Sequence, residues 1–175
     1  MTEPIHVLFI SISGISDLMK DEYTKGLVLR IRRPNPDKRA MIQAINSGDE
    51  TLMSLVAKNL HASHNMLKKA LTSRYMSVRE YAAGNPSCRE DLLALALESE
   101  DEPVKLAAAR NTSMTTKLID QILNGDYSIA VKCEAVKNPK ATVQHINDAR
   151  LSENEKIRYA AKVAMSGRIH KAERL

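Results

Sequence analysis

The sequence predicts an all-α protein, an α-solenoid of about five to six two-helix repeats of ~26 residues, preceded by a divergent N-terminal cap. Three observations predict it. One segment recurs at a near-constant interval, and each copy carries the apolar spacing of a helix. Aromatic residues are only 3% of the 175 residues, and six Gly with six Pro leave little room for a turn-rich β fold.

The repeat is clearest in the second half of the chain, where four copies align without gaps and start 26, 27 and 26 residues apart. They read VREYAAGNPS from Val78, VKLAAARNTS from Val104, VKCEAVKNPK from Val131 and IRYAAKVAMS from Ile157. Weaker copies start at Leu52 and Val28. We therefore expect repeats over 28–167, an N-terminal cap segment at 1–27 and a basic C-terminal tail at 168–175.

Each copy starts with an apolar residue, and a small residue follows four positions later. This spacing puts both side chains on one helix face, where alanine lets a neighbouring helix approach closely. The pairs are Val78 with Ala82, Val104 with Ala108, Val131 with Ala135, and Ile157 with Ala161. These residues predict a first helix, helix A, of about two turns.

An asparagine follows the start by seven residues in five copies: Asn35, Asn59, Asn85, Asn111 and Asn138. Proline comes next in three of them, at Pro36, Pro86 and Pro139. A residue before proline is pushed out of the α region, while asparagine is a favoured N-cap and proline a favoured first helical residue. The Asn-Pro pair is therefore predicted both to end helix A and to cap helix B.

Helix B has its own apolar stripe, at Leu92, Leu93, Ala96 and Leu97 in one repeat. Equivalent residues are Met66, Leu67, Ala70 and Leu71 before it, and Leu118, Ile119, Ile122 and Leu123 after it. Polar segments at 99–102, 124–126 and 151–154 are expected to end these helices. Helices this short do not persist alone, so each repeat needs its neighbours to fold.

The two ends depart from the repeat. Ser16 followed by DLMKDEY predicts an N-cap with an acidic first turn. Residues 1–14 fit either a helix or a strand, and we favour a helix. At the other end Ala164 replaces the asparagine, and Ser166-Gly167 predicts the end of the last helix.

The pattern of Val, a basic residue, Ala and Asn-Pro, followed by a leucine-rich second helix, resembles the variant leucine-rich repeat family of HEAT-like α-solenoids. The resemblance covers roughly 52–165, and 28–51 more weakly. It implies a right-handed curved stack. Some members carry a cysteine-ligated iron–sulfur cluster before the repeats, but no cysteine precedes Cys88 here. We therefore expect no cofactor.

The net charge limits which classes of partner the sequence favours. The formal net charge is +5, with basic residues concentrated at 25–39 and from Arg150 onward and an acidic stretch at 90–102. This mild excess permits nucleic acid as a partner without requiring it.

Cys88 and Cys133 occupy non-equivalent positions, which favours a reducing cytoplasm over a disulfide framework. The apolar run 5–13 is too short to span a bilayer and follows Glu3, so we expect neither a membrane span nor a signal peptide.

The second position of each repeat is basic, at Arg79, Lys105, Lys132 and Arg158. Stacked repeats would place these cations in a ridge for phosphates or an acidic partner. The alternative is that each cation pairs internally with acidic or carbonyl groups of the corners, such as Asp101. Arg30, Arg32 and Arg33 form a second basic group, which we interpret as a phosphate site or, preferably, a solvated cap face.

Chemistry-bearing residues are few. His61 and His64 are three apart but lack an evident third ligand, so no metal site is predicted. Cys88 falls near the start of a B helix, where a thiolate would be favoured, yet no histidine or acid is placed beside it, and an incidental thiol is the preferred interpretation. We find no phosphate-binding loop and no nucleophilic triad, and we expect neither enzymatic activity nor a small-molecule substrate.

Two functions remain open. The first is a non-catalytic scaffold, adaptor or inhibitor that binds another protein through exposed, repeat-specific side chains of the B helices: Lys68, Lys69, Asp91, Lys117, Asp120 and Gln121. The second is nucleic-acid binding along a basic ridge, as in some HEAT-like proteins, including a class of alkylpurine DNA glycosylases. The absence of tryptophan and the acidic middle of the chain count against the second.

Overall fold

The computed structural model describes the backbone of residues 12–172 and the side chains of residues 21–169, and every regular element there is an α-helix. The predicted all-α class is confirmed. The expectation for residues 1–11 lies outside the described residues. The eleven helices in the described range are α1 (Ile12–Ile31), α2 (Lys38–Asn46), α3 (Glu50–Ala57), α4 (His64–Leu71), α5 (Met76–Gly84), α6 (Glu90–Leu97), α7 (Glu102–Arg110), α8 (Thr116–Asn124), α9 (Ile129–Lys137), α10 (Val143–Arg150) and α11 (Glu155–Ala172).

Alternate helices pack against each other in chain order. From α3 to α11, each odd-numbered helix contacts the next odd-numbered one, and α1 contacts α3. The even-numbered helices pack beside them, and α2, α4 and α6 also follow one another. The odd-numbered helices from α3 onward are the predicted A helices, and the even-numbered ones are the B helices. None of the helices described is long and apolar enough to cross a membrane.

The recurring aliphatic residues form the core, as predicted. Val78, Val104 and Val131 are at most 1% exposed, and the alanines four positions later are completely buried. On the B helices Leu92, Leu93, Ala96 and Leu97 are buried, as are their counterparts Met66, Leu67, Ala70, Leu71, Leu118, Ile119 and Ile122. Alanine on helix A lets the odd-numbered helices approach one another closely.

The prediction that Asn-Pro caps helix B is wrong. The asparagine is the residue that ends helix A, as Asn85, Asn111 and Asn138 do for α5, α7 and α9. One further turn intervenes, closed by a hydrogen bond such as Cys88 N–H to the Asn85 carbonyl at 2.9 Å. Helix B starts afterwards, and Ser63, Thr115 and Thr142 cap α4, α8 and α10 through their hydroxyls. Arg89 occupies the cap position of α6 and makes no side-chain cap.

The first repeat also departs from its predicted position. Helix α1 runs without a break through Ser16, so Ser16 is not an N-cap, and the proposed boundary between residues 27 and 28 lies inside the helix. The Asn59 amide donates to the Ile31 carbonyl at 3.2 Å, whereas the alignment from Val28 placed Arg33 there. The register is therefore shifted by two residues. Asn35 is exposed, and the residue that caps α2 is Asp37.

The predicted helix end at Ser166-Gly167 is likewise wrong, because α11 continues to Ala172 and includes the start of the predicted tail. Ala164 has no side-chain amide with which to build the corner that ends the earlier A helices. Gly167 keeps an ordinary helical backbone, since Gly48 is the one glycine with positive φ among the residues described. Arg168 instead donates to the Ala141 carbonyl from the extended helix.

Candidate binding surfaces

The asparagines form a buried ladder that joins successive repeats. The Asn85 amide donates to the carbonyls of Ala57 and Asn59 at 2.6 and 2.9 Å, and its own side-chain oxygen accepts the Ser87 N–H at 2.8 Å. Asn111 and Asn138 repeat this arrangement one and two repeats later. All three are 3% exposed. The ladder is therefore a structural device that satisfies buried carbonyls, and its amides face the preceding repeat.

The predicted basic ridge is not an exposed row of cations. Arg79 donates to Asp101 at 2.5 and 2.9 Å and also to the Ser73 carbonyl. Arg158 donates to the carbonyls of Ser152 and Glu153 at 2.9 and 2.7 Å. The internal-pairing alternative therefore holds for both arginines. The lysines of the ridge, Lys105 and Lys132, are half-buried.

The three arginines at the end of α1, Arg30, Arg32 and Arg33, differ in whether they have an ion-pair partner in the part of the chain described. Arg30 pairs with Asp37, and the Nε–Oδ2 distance is 2.9 Å. Hydrogen bonding from Arg30, aided by the backbone of the α2 N-terminus, lowers the pKa of Asp37 against the effect of burial. Arg32 and Arg33 are exposed. Of the three, Arg30 is the one with an ion-pair partner among the described residues, although its side chain is still 41% exposed.

The predicted partner-binding residues of the B helices are all exposed, but most of them form bridges between neighbouring repeats. Lys69 reaches Asn46 at 2.5 Å, and Asp91 lies 3.4 Å from His64. Lys117 lies 4.0 Å from Glu90, and an Asp120 carboxylate oxygen lies 2.8 Å from His145 Nε2. Gln121 donates to the Tyr127 hydroxyl, and Lys68 is exposed. We call these contacts the B-helix bridges.

The histidines and cysteines of the described residues do not form a common metal-binding or catalytic site. His61 is exposed at a corner, His64 belongs to a B-helix bridge, and no group of three or more metal-ligating side chains occurs in the part of the chain described. Cys88 is 1% exposed, and burial, with the nearby Asp91 charge, raises the pKa of its thiol to about 12. A favoured thiolate at Cys88 is thus contradicted by its burial.

A different surface runs along the A helices, built from the third, fourth and seventh residues of successive repeats. Two grooves lie on it and share Lys58 and Tyr81. Groove 1, of about 350 Å³, lies over α1, α3 and α5, and groove 2, of about 370 Å³, over α3, α5 and α7. The Lys58 ammonium lies 3.6 Å from the centre of the Tyr81 ring, a cation–π contact that joins two repeats.

An ion cluster continues this surface onto α9. Glu134 accepts from Arg110 at 3.1 Å and from Lys137 at 2.6 Å. Burial raises the pKa of Glu134, but the two cations outweigh burial and hold the pKa below its ordinary value. Glu134 is therefore charged at neutral pH, and the cluster of two cations and one carboxylate carries a net positive charge.

The surface ends in groove 3, of about 570 Å³, between α9 and α11. Its lining is mainly apolar, with Cys133, Tyr159 and Val163 flanked by Lys137 and Lys156. Tyr159 is 69% exposed. We call the whole surface the A-helix strip and define it as Ser54, Leu55, Lys58, Glu80, Tyr81, Gly84, Ala107, Arg110, Cys133, Glu134, Lys137, Tyr159, Ala160 and Val163.

Sequence reasoning missed the A-helix strip, although a signal was present. The buried first and fifth positions of helix A recur, whereas the seventh position changes from Lys58 to Gly84, Arg110, Lys137 and Val163 along the repeats. Where the buried positions of a repeat stay the same, the exposed positions that differ between repeats are free to contact a particular partner. Applied to helix A as it was to helix B, this criterion would have selected the strip.

Comparisons with protein-family models, with curated proteins and with solved structures each find no match. The resemblance to variant leucine-rich repeats therefore rests on the recurring residues of this chain.

Proposed function

We propose that the chain is a right-handed α-solenoid of five to six repeats, related to the variant leucine-rich repeats. Support comes from the packing of odd-numbered helices in chain order and from the asparagine ladder, which links residues 26 to 29 positions apart. Such spacing is what a stack of near-identical layers produces, since each layer contacts its neighbours in the same way.

On this scaffold we propose a non-catalytic protein-binding function, as an adaptor or inhibitor, carried by the A-helix strip. The observation that carries the proposal is the strip itself, a run of three grooves with exposed tyrosines and alternating charge over α1 to α11. Aromatic and arginine side chains beside shallow grooves are typical anchors of protein interfaces. We propose the reducing cytoplasm as its location, which suits the free thiols Cys88 and Cys133.

The B-helix surface is the weaker choice for this role. Most of its predicted contact residues face a group of a neighbouring repeat in the B-helix bridges, so a partner would compete with those contacts. On the strip, Arg110 has 61% of its side chain exposed while it touches Glu134. A partner can therefore reach this cation while its contact with Glu134 is kept.

Affinity capture from native lysate, with and without nuclease, tests the proposal. The immobilised proteins are the wild type, a strip variant with Lys58→Glu and Tyr81→Ala, and a control with two exposed changes, Lys68→Glu on α4 and Leu151→Ala directly after α10. We expect a protein captured by the wild type and the control but not by the strip variant. Loss with the control instead would place the interface on the B helices.

Nucleic-acid binding is the alternative, favoured by one observation: Arg32, Arg33, Lys38 and Arg39 cluster near the start of α2, and both arginines that precede the helix are exposed. A salt titration of binding to duplex and single-stranded DNA and RNA discriminates between the two functions. A steep loss of affinity with salt would favour nucleic acid, because cation–phosphate contacts release counterions. No binding at low salt would eliminate it.

A further inference from the structure

We propose that the A-helix strip recognises an extended acidic segment of its partner, with a large apolar side chain between its carboxylates. This inference rests on the proposed protein-binding function and specifies its ligand. It follows from which seventh-position residues are charged, how far apart the repeats lie, and where one repeat has no side chain.

The seventh positions of four consecutive repeats are Lys58, Gly84, Arg110 and Lys137. Three are cations, and each lies on the strip. Arg110 and Lys137 both bond the Glu134 carboxylate, which is only 16% exposed, and Glu80 lines groove 2 together with Arg110. The Arg110 side chain remains 61% exposed and that of Lys137 37%, so a ligand carboxylate can reach either cation and add a charge-assisted hydrogen bond.

The spacing of the repeats sets the spacing of the ligand. Packed helices lie about 8–10 Å apart, and an extended chain advances about 3.3 Å per residue, so one repeat corresponds to about three ligand residues. Carboxylates facing Lys58, Arg110 and Lys137 would then lie at residues i, i+6 and i+9 of an extended segment, read in either chain direction.

The repeat without a cation supplies an apolar position. A methyl group added at Gly84 would meet Ala107 only at ordinary contact distance, 3.9 Å, so the space above Gly84 is open. Groove 2 lies here, with Tyr81 and Pro86 on its walls. A large side chain at position i+3 of the segment would enter this groove, and the aromatic wall favours an aromatic or long aliphatic residue.

A polyanion fits the strip less well than a peptide does. Glu80 lines groove 2, Glu50 lines groove 1, and Glu155 lines groove 3, so fixed negative charges alternate with the cations. A continuous phosphate backbone would meet these carboxylates along the strip, whereas a peptide can place small neutral residues opposite them.

Fluorescence anisotropy with synthetic peptides tests the inference. The probe is a labelled serine–glycine peptide of about fourteen residues with Glu at i, i+6 and i+9 and Trp at i+3. Its reversed order, a version with the three Glu moved to adjacent positions, and a version with Lys for Glu are the comparison peptides, and single-stranded DNA of similar length is the competitor. We expect the probe or its reversed order to bind at least tenfold more tightly than the other two peptides.

Two variants of the protein locate the site. Arg110→Glu and, separately, Lys58→Glu are expected to weaken probe binding at least tenfold, and Lys140→Glu, an exposed corner cation, is expected to leave it unchanged. Lys58 does not contact Glu134, so its variant keeps the ion cluster intact if Arg110→Glu perturbs folding. Thermal unfolding of each variant confirms that it is folded.

The inference is overturned if the clustered and the spaced peptides bind equally, if neither strip variant weakens binding, if no peptide binds, or if DNA displaces the probe completely. None of these results tests the proposed protein-binding function. That function is tested separately, by whether a protein captured by the wild type is lost with the strip variant.

Discussion

The side-chain amide of Asn111 donates one hydrogen bond to the Asn85 carbonyl at 2.8 Å and a second to the Ala83 carbonyl at 2.7 Å. One asparagine thus bonds two carbonyls of the repeat before it, at the point where an A helix ends: it supplies a donor for the Ala83 carbonyl and a second donor for the Asn85 carbonyl, which also accepts the Cys88 N–H. Asn85 does the same for α3, and Asn138 for α7. Successive A helices are therefore joined by polar contacts as well as by the apolar core.

Asn111→Ala is expected to destabilise the fold by about 2–4 kcal/mol, because it leaves the Ala83 carbonyl without its donor and the Ser113 N–H without its acceptor. This exceeds the roughly 0.5–2 kcal/mol that loss of a helix cap alone would cost. Urea unfolding followed by circular dichroism measures the change. Asn147→Ala, at an exposed position of α10, is the matched control and should remain within about 0.5 kcal/mol of the wild type.

Arg79→Ala is expected to cost about 1–3 kcal/mol, since its guanidinium bonds both Asp101 and the Ser73 carbonyl across two corners. Its side chain is 20% exposed and that of Asp101 29%, so solvent screens the pair only in part. A double-mutant cycle with Asp101→Ala measures the coupling. A coupling near zero, with Arg79→Ala no worse than Lys105→Ala, would contradict the role of this pair in the corners.

Gly84→Ala is expected to stabilise the protein by about 0.5–1 kcal/mol, because α5 includes this glycine and a methyl group there meets nothing closer than 3.9 Å. Gly125→Ala provides the contrast. Its methyl group would lie 2.6 Å from the Gln121 carbonyl oxygen and 2.9 Å from the Tyr127 ring, so we expect destabilisation. Thermal melts of the two variants should shift in opposite directions, and a shared direction would contradict the packing described at both corners.

Cys88 is expected to resist thiol reagents in the native protein. In a Cys133→Ser variant, where Cys88 is the single cysteine, iodoacetamide at about pH 8 should react far more slowly, by roughly a hundredfold or more, than with the urea-unfolded chain. Burial and a pKa raised to about 12 both deprive the native thiol of its reactive thiolate. Equal rates in the native and unfolded states would mean that Cys88 is not buried at the corner before α6.

The sequence predicted the helical class and the core because both follow from local spacing, as with Val78 and Ala82 or Leu92 and Leu93. It misplaced the role of the asparagines, because a short polar side chain before proline fits a cap and a carbonyl ladder equally well. Only the neighbour's position decides between them, as the Asn85–Ala57 bond shows. A contact of the same kind, from the Asn59 amide to the Ile31 carbonyl, corrected the alignment of the first repeat by two residues.

The candidate site was harder to predict for a related reason. Side chains such as Lys117 and Asp120 are exposed as expected, but their partners Glu90 and His145 belong to other repeats and cannot be paired from one repeat's pattern. Conversely, Arg110 and Glu134 acquire their significance only when α7 and α9 are adjacent.

Hydrogen–deuterium exchange of the protein with and without its captured partner tests the central claim most directly. We predict that binding slows exchange in α3, α5 and α7, whose backbones carry grooves 1 and 2, and leaves α4, α6 and α8 unchanged. Protection confined to the B helices, with the A helices exchanging as in the free protein, would contradict a binding role for the A-helix strip.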